Sequence, residues 1–204
     1  MRYTMEYFLA DSVTPEVSYA NWTSLWWKWA LSIPKDMHPL SDTTGKNAGF
    51  RQPKSVWFLG GIWADEVQPD ELPLRYCTIP KNASILIPIL NCEADVLEYP
   101  EIKSDRDILD HVSNQVNKIA KKECYLNGDY VPPLRVRSEP LIFEIDIHPS
   151  FDKHKGLGGK VRASSDGYWV FLKPLPEGKH EIQFEGWYEH GKLKSGATYK
   201  IDVI

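Results

Sequence analysis

Trp22, Trp26, Trp29 and Ile33 stand at i, i+4, i+7 and i+11, one face of an α-helix. Three indoles on one face demand a broad apolar partner, and each carries an N–H that needs an acceptor once buried. The spacing predicts a helix over about 18–33. It starts near Ser18, or at Thr14-Pro15-Glu16, where a capping hydroxyl precedes proline at the first helical position. Pro34 stops it, because the residue before a proline is pushed out of the α conformation. Leu25 widens the apolar face, whereas Trp27 lies off its centre and is the indole left over for a functional surface.

A second helix is predicted over about 105–123. Ser104 caps it, Asp107 completes a capping-box arrangement, and Ile108, Val112, Val116 and Ile119 form its stripe. Asn127-Gly128 then signals a tight hairpin. Most of the remainder reads as strand: 55–59, an apolar run from Ile85 to Leu90, a strictly alternating 143–147, and a C-terminal meander of 168–172, 180–186 and 197–203. The fold expected is mainly β with two helices. It is an antiparallel β-sandwich, jelly-roll-like, forming one domain over 1–204 with the helices as insertions.

Charge narrows the partners. A net charge of −4 with no strongly basic run argues against nucleic acid and against an anionic membrane surface. No apolar stretch is long enough to span a bilayer, and the N-terminus carries Glu6 where a secretion signal would be apolar. A cytoplasmic location is expected, with Cys77, Cys92 and Cys124 as reduced thiols.

The combination Trp22…Trp26-Trp27-Lys28-Trp29-Ala-Leu-Ser-Ile-Pro34, His38-Pro39…Asp42…Gly45 and Gln52…Val56-Trp-Phe-Leu-Gly-Gly61 resembles a widespread prokaryotic protein family with no assigned reaction. Cys77-Thr-Ile-Pro80, Pro88-Ile-Leu-Asn91, Asp166-Gly-Tyr-Trp169 and Leu175-Pro-Glu-Gly-Lys-His-Glu-Ile182 extend the resemblance over nearly the whole chain. Similar members occur in bacteria, often with secretion signals, and in ammonia-oxidising archaea. The resemblance implies common descent and brings no activity. Asn47 stands where many relatives carry a cysteine able to pair with the one matching Cys77, so a disulfide is not carried over.

Two polar segments are candidate sites. His38-Pro-Leu-Ser-Asp42-Thr-Thr-Gly45 gathers an imidazole, a carboxylate and hydroxyls just after the Trp-rich helix. The competing reading is a turn in which Asp42 bonds its own backbone. Asn91-Cys92-Glu93-Ala94-Asp95 emerges from an apolar strand. There Glu93 and Asp95 would share one face as an acid/base pair, or simply be solvated at a strand end. One pocket is expected from these segments, with Asp42, Glu93 and His38 as catalytic candidates and Trp27, Gln52, Trp57 and Asn91 as ligand-binding ones. No metal is expected: His38 with Asp42, and His148 with His154, make no recognised ligand set. Gly156-Leu-Gly-Gly159 lacks the Lys-Ser/Thr ending of a phosphate loop, and no cofactor motif occurs.

Three functions remain open. The first is a binding module for a carbohydrate or other small molecule, in which surplus rings such as Trp27, Trp63 and Trp187 stack on the ligand. The second is a small hydrolase or lyase of glycoside type using Asp42 and Glu93. The third is a structural protein, a homo-oligomer with indoles at its interface.

Overall fold

The computed structural model describes residues 6–12, 14–63, 72–151, 158–189 and 193–204. Its longest strands explain the rest of the architecture. β3 (Ser84–Asp95) and β8 (Gly159–Leu172) pair antiparallel from Ile85 opposite Leu172 to Asp95 opposite Ala163. They form the centre of a first sheet, with β1 (Val56–Phe58) on the outer side of β3, and β6 (Leu134–Arg135) and β7 (Phe143–Ile147) both against β8. The second sheet runs β2 (Leu74–Ile79), β10 (Lys194–Val203), β9 (Gly178–Tyr188), β4 (Ile119–Leu126), β5 (Asp129–Tyr130).

Both faces of the first sheet are covered. Ile85, Ile87 and Ile89 of β3 meet Ile182 and Phe184 of β9 and Tyr199 and Ile201 of β10 between the sheets. On the opposite face, Leu86, Phe143, Ile145, Trp169 and Phe171 pack under α1 (Tyr19–Ser32). That double burial is why β3 reads as a continuous apolar run rather than an alternation. No helix among the described residues is long and apolar enough to cross a membrane.

The described residues are therefore mainly β with two α-helices, and the sheets are mixed rather than purely antiparallel. β1 pairs parallel with β3, and β2 parallel with β10. A chain that leaves β1 for the opposite sheet and returns enters β3 heading the same way. The expected C-terminal meander is also split: β9 and β10 are antiparallel neighbours, but β8 lies in the other sheet.

α1 obeys its sequence. Ser18 Oγ accepts from the Asn21 N–H at 3.1 Å, and Ile33 turns extended before Pro34. The Trp22, Trp26 and Trp29 indoles donate to the carbonyls of Pro15 (2.7 Å), Leu59 (2.8 Å) and Phe50 (3.0 Å). Each large ring is thus buried without stranding its polar atom. The second helix, α2 (Asp105–Val116), has the predicted Ser104–Asp107 capping box but ends well before 123. The residues from Ile119 onward are β4, captured by pairing with β9. At the hairpin, Asn127 (φ 52°) and Gly128 (φ 86°) link β4 to β5 as the Asn-Gly signal requires.

Candidate functional site

β1 is three residues long and β3 twelve. The β1 ladder stops at Phe58 opposite Leu86, after which only the Leu59 N–H reaches back, to the Leu86 carbonyl at 3.0 Å. Beyond that point no described strand covers the outer edge of β3. A bulge between Pro88 and Leu90 bends the strand there, as bulges beside sites commonly do. A cavity of about 650 Å³ opens along this edge, and the consecutive residues Pro88 to Glu93 all line it.

Its walls come from elements the sequence keeps far apart. α1 supplies Trp26 and Trp27, the segment after β1 supplies Gly61, Ile62 and Trp63, and Phe151 follows β7. Trp27 stands edge-on to Trp26 at 5.1 Å, and Trp63 edge-on to Phe151 at 5.6 Å. Glu98 and Tyr99 follow β3, Gln115 and Lys118 close the end of α2, and Tyr188 and Glu189 end β9. The lining thus combines aromatic rings with carboxylates and amides.

The carboxylates converge through a local turn. Asp95 Oδ1 accepts from the N–H groups of Leu97 (2.6 Å) and Glu98 (3.0 Å), folding Glu98 back toward the strand. One carboxylate oxygen each of Glu93, Asp95 and Glu98 then lie within 4.8 Å of one another. Glu93 is 7% exposed and Asp95 fully buried, so the expected solvated strand end is corrected. The strand does not end at Asn91, because β8 is long enough to pair with it as far as Asp95. Two unit charges at that separation repel by about 3.5 kcal/mol at an effective dielectric near 20. Three hard oxygen donors are the right type for calcium or magnesium. Burial, with the Glu98 charge beside it, pushes the Tyr99 phenol far above its ordinary value, so it stays a neutral donor.

Trp27, Asn91 and Glu93 line the cavity; the other four candidates do not. Asp42 closes its own loop, its carboxylate accepting from the N–H of Thr44 (2.8 Å) and of Asn47 (2.7 Å). Partial burial pushes that carboxyl up, but these hydrogen bonds outweigh it and hold it below its ordinary value. Gly45, at φ +91°, packs so tightly on β2 that a Cβ would sit 2.4 Å from the Tyr76 carbonyl. Gln52 is consumed by Phe58, accepting from its N–H (2.8 Å) and donating to its carbonyl (2.9 Å). Trp57 lies in the core between the sheets. The pairing of Asp42 with Glu93 across one pocket is therefore not formed.

His38 is 1% exposed and fully engaged: Nε2–H donates to the Ala30 carbonyl (2.7 Å), and Nδ1 accepts from the Leu40 N–H (3.0 Å). Burial, aided by the nearby Arg75 charge and opposed by the Ala30 bond, lowers its pKa to about 4. A neutral, doubly bonded imidazole is no general base. Its ring instead backs Trp63 at 5.0 Å and Phe151 at 5.9 Å, and so positions the aromatic wall.

The Asp-Gly-Tyr-Trp segment is frame. Asp166 is 1% exposed and accepts from Arg135 through Nε (3.1 Å) and Nη2 (2.7 Å), while Arg135 Nη1 holds Asn117 Oδ1 at 2.7 Å. Gly167 faces Asn91, where a Cβ would fall 2.2 Å from the Asn91 Cβ. Trp169 packs on Trp26 at 5.6 Å. The motif thus fixes α2 and makes room for a residue of the cavity. Burial raises the Cys77 and Cys124 thiols to about 12, so neither is a nucleophile. His154, Gly156 and His190 lie outside the described residues; His148 Nδ1 is within hydrogen-bonding distance of Ser150 Oγ at 2.9 Å.

Glu98, Tyr99 and Tyr188 escaped the sequence reading. The spacing Glu93-x-Asp95-x-x-Glu98 was the available signal, since a strand places the first two on one face and an Asx turn returns the third. No protein-family model, curated protein or solved structure matches the chain.

Proposed function

We propose that the protein binds a small polyhydroxylated molecule, of carbohydrate type, in the cavity along the β3 edge. The observation that carries this reading is the cavity's mixed lining, in which the rings of Trp27, Trp63 and Phe151 occur together with Asn91, Glu93 and Glu98. Sugar rings have apolar faces that stack on indoles and hydroxyl edges that bond amides and carboxylates. The volume of about 650 Å³ falls in the range of small-molecule pockets. The resemblance noted in the sequence is compatible with this role and adds no reaction to it.

Protein-observed NMR with glucose, glucosamine, cellobiose and other mono- and disaccharides tests the reading. The indole N–H signals of Trp27 and Trp63 are expected to shift saturably, those of Trp22 and Trp29 to stay, and Asn91→Ala to abolish the response. If no saccharide moves the Trp27 and Trp63 signals, the reading is wrong.

A further inference from the structure

Three of the four indoles on α1 are satisfied in one and the same way. Trp22, Trp26 and Trp29 each donate to a main-chain amide carbonyl, those of Pro15, Leu59 and Phe50, at 2.7, 2.8 and 3.0 Å. Trp27, the fourth, is 8% exposed and lines the cavity, and its N–H meets no acceptor among the described residues. An indole nitrogen only donates, and an N–H withdrawn from water without an acceptor is costly. The group that completes Trp27 therefore belongs to whatever the cavity holds.

A second donor shares the lining. The buried N–H₂ of the Asn91 side chain also meets no acceptor among the described residues. Asn91 stands opposite Gly167, on the sheet face that also carries Trp169, and Trp169 packs edge-on to Trp26 at 5.6 Å. Trp26 in turn meets Trp27 edge-on at 5.1 Å. The indole and the amide thus belong to one packed set of side chains, and Gly167 puts no side chain of its own beside Asn91.

We infer that the ligand presents a neutral amide carbonyl to Trp27 and a sugar oxygen to Asn91, the chemistry of an N-acetylated amino sugar. A hydroxyl accepting from the indole would bring an O–H of its own to be satisfied, whereas a carbonyl oxygen accepts and brings no donor. In a trans amide the N–H points the opposite way, so it does not compete for the same spot. The acetyl methyl is apolar and suits a lining that includes Trp63 and Phe151. Basic residues do not outnumber acidic ones there, with Lys35 and Lys118 against Glu93, Glu98 and Glu189, so nothing selects a carboxylate over a neutral amide. This inference rests on the hydroxylated-ligand reading and names a substituent that reading leaves open.

Three probes separate the two. NMR titrations compare N-acetylglucosamine, glucose and N-cyclohexylacetamide on the unmodified protein and on Trp27→Phe, which keeps a ring and removes the N–H; the Trp63 indole signal follows binding in both. The expected result is N-acetylglucosamine binding at least about tenfold tighter than glucose, with the Trp27 indole proton moving downfield and the preference erased in Trp27→Phe. A preference that persists undiminished in Trp27→Phe overturns the inference. If that variant does not fold, the unmodified protein decides: a Trp27 indole proton that moves downfield with N-acetylglucosamine and not with glucose supports the inference, and equal movement overturns it. Glucose binding as tightly as N-acetylglucosamine overturns the acetamido group and leaves the hydroxylated-ligand reading standing. Response to N-cyclohexylacetamide with none to any sugar supports the amide and overturns that reading. No response to any of the three overturns both.

Discussion

Arg75 and Tyr199 face each other across the parallel β2–β10 pairing, and their polar ends meet on a single carbonyl. Arg75 Nη1 donates to the Gly60 carbonyl at 2.6 Å and to the Tyr199 hydroxyl at 3.0 Å, and that hydroxyl donates to the same carbonyl at 2.8 Å. Arg75 Nε and Nη2 reach the Asp42 and Leu40 carbonyls at 2.6 and 3.0 Å. A fully buried guanidinium is thus solvated by backbone oxygens, and it ties the loop that includes Gly45 and the Gly60–Trp63 segment to the second sheet.

Arg75→Met removes those donors and strands several buried carbonyls, each costing about 1–3 kcal/mol. Denaturant unfolding is expected to show a loss above about 3 kcal/mol, and Tyr199→Phe a loss of about 1–2 kcal/mol. A near-neutral Arg75→Met would show that water replaces the guanidinium without penalty.

Trp26→Ala is expected to cost about 3–5 kcal/mol, the range for emptying a buried aromatic site. Trp27→Phe trims a ring already beside a cavity and should cost clearly less while weakening ligand responses. Equal losses in urea titrations of the two variants would contradict the division between core and cavity.

Stability falls as pH drops from about 6.5 toward about 4 because His38 is buried neutral. Above about 6.5 neither state binds the proton and the contribution is full. Below it the unfolded chain protonates first, at up to about 1.4 kcal/mol per pH unit, until the folded state follows near 4. His38→Gln should flatten this window relative to the unmodified protein. Parallel pH profiles for the two would show that His38 does not titrate as its burial requires.

Gly167→Ala sets a methyl group against Asn91 across the ladder, and overpacking of this kind costs about 1–3 kcal/mol. Because Asn91 lines the cavity, any saccharide response should weaken even where the variant stays folded. An unchanged thermal transition and unchanged binding would mean that β3 moves aside freely.

Much of this frame is legible in the residues. The three-indole period, Ser18 and Pro34 mark α1 because they depend on neighbours along the chain. The end of α2 does not depend on them alone: Ile119 fits both the helical stripe and the first position of a strand, and pairing with β9 decides. Asn91 to Asp95 look like a strand end for the same reason, since only the length of β8 keeps them paired and buried. Asp42 and Gln52 look like site residues because a loop rich in polar groups resembles a site; their hydrogen bonds go to their own segment. Convergence of Glu93 and Glu98 with Trp27 is set by tertiary distance, which spacing along the chain does not encode.

The shortness of β1 has a consequence for how this protein can change. Beyond Phe58 no described strand pairs with the outer edge of β3, so one border of the opening is main chain. Substitutions at Trp27, Trp63 or Glu98 then change the lining of the cavity while leaving that border in place. Adding two or three strand-forming residues after Phe58 would instead close the opening, without disturbing either hydrophobic layer.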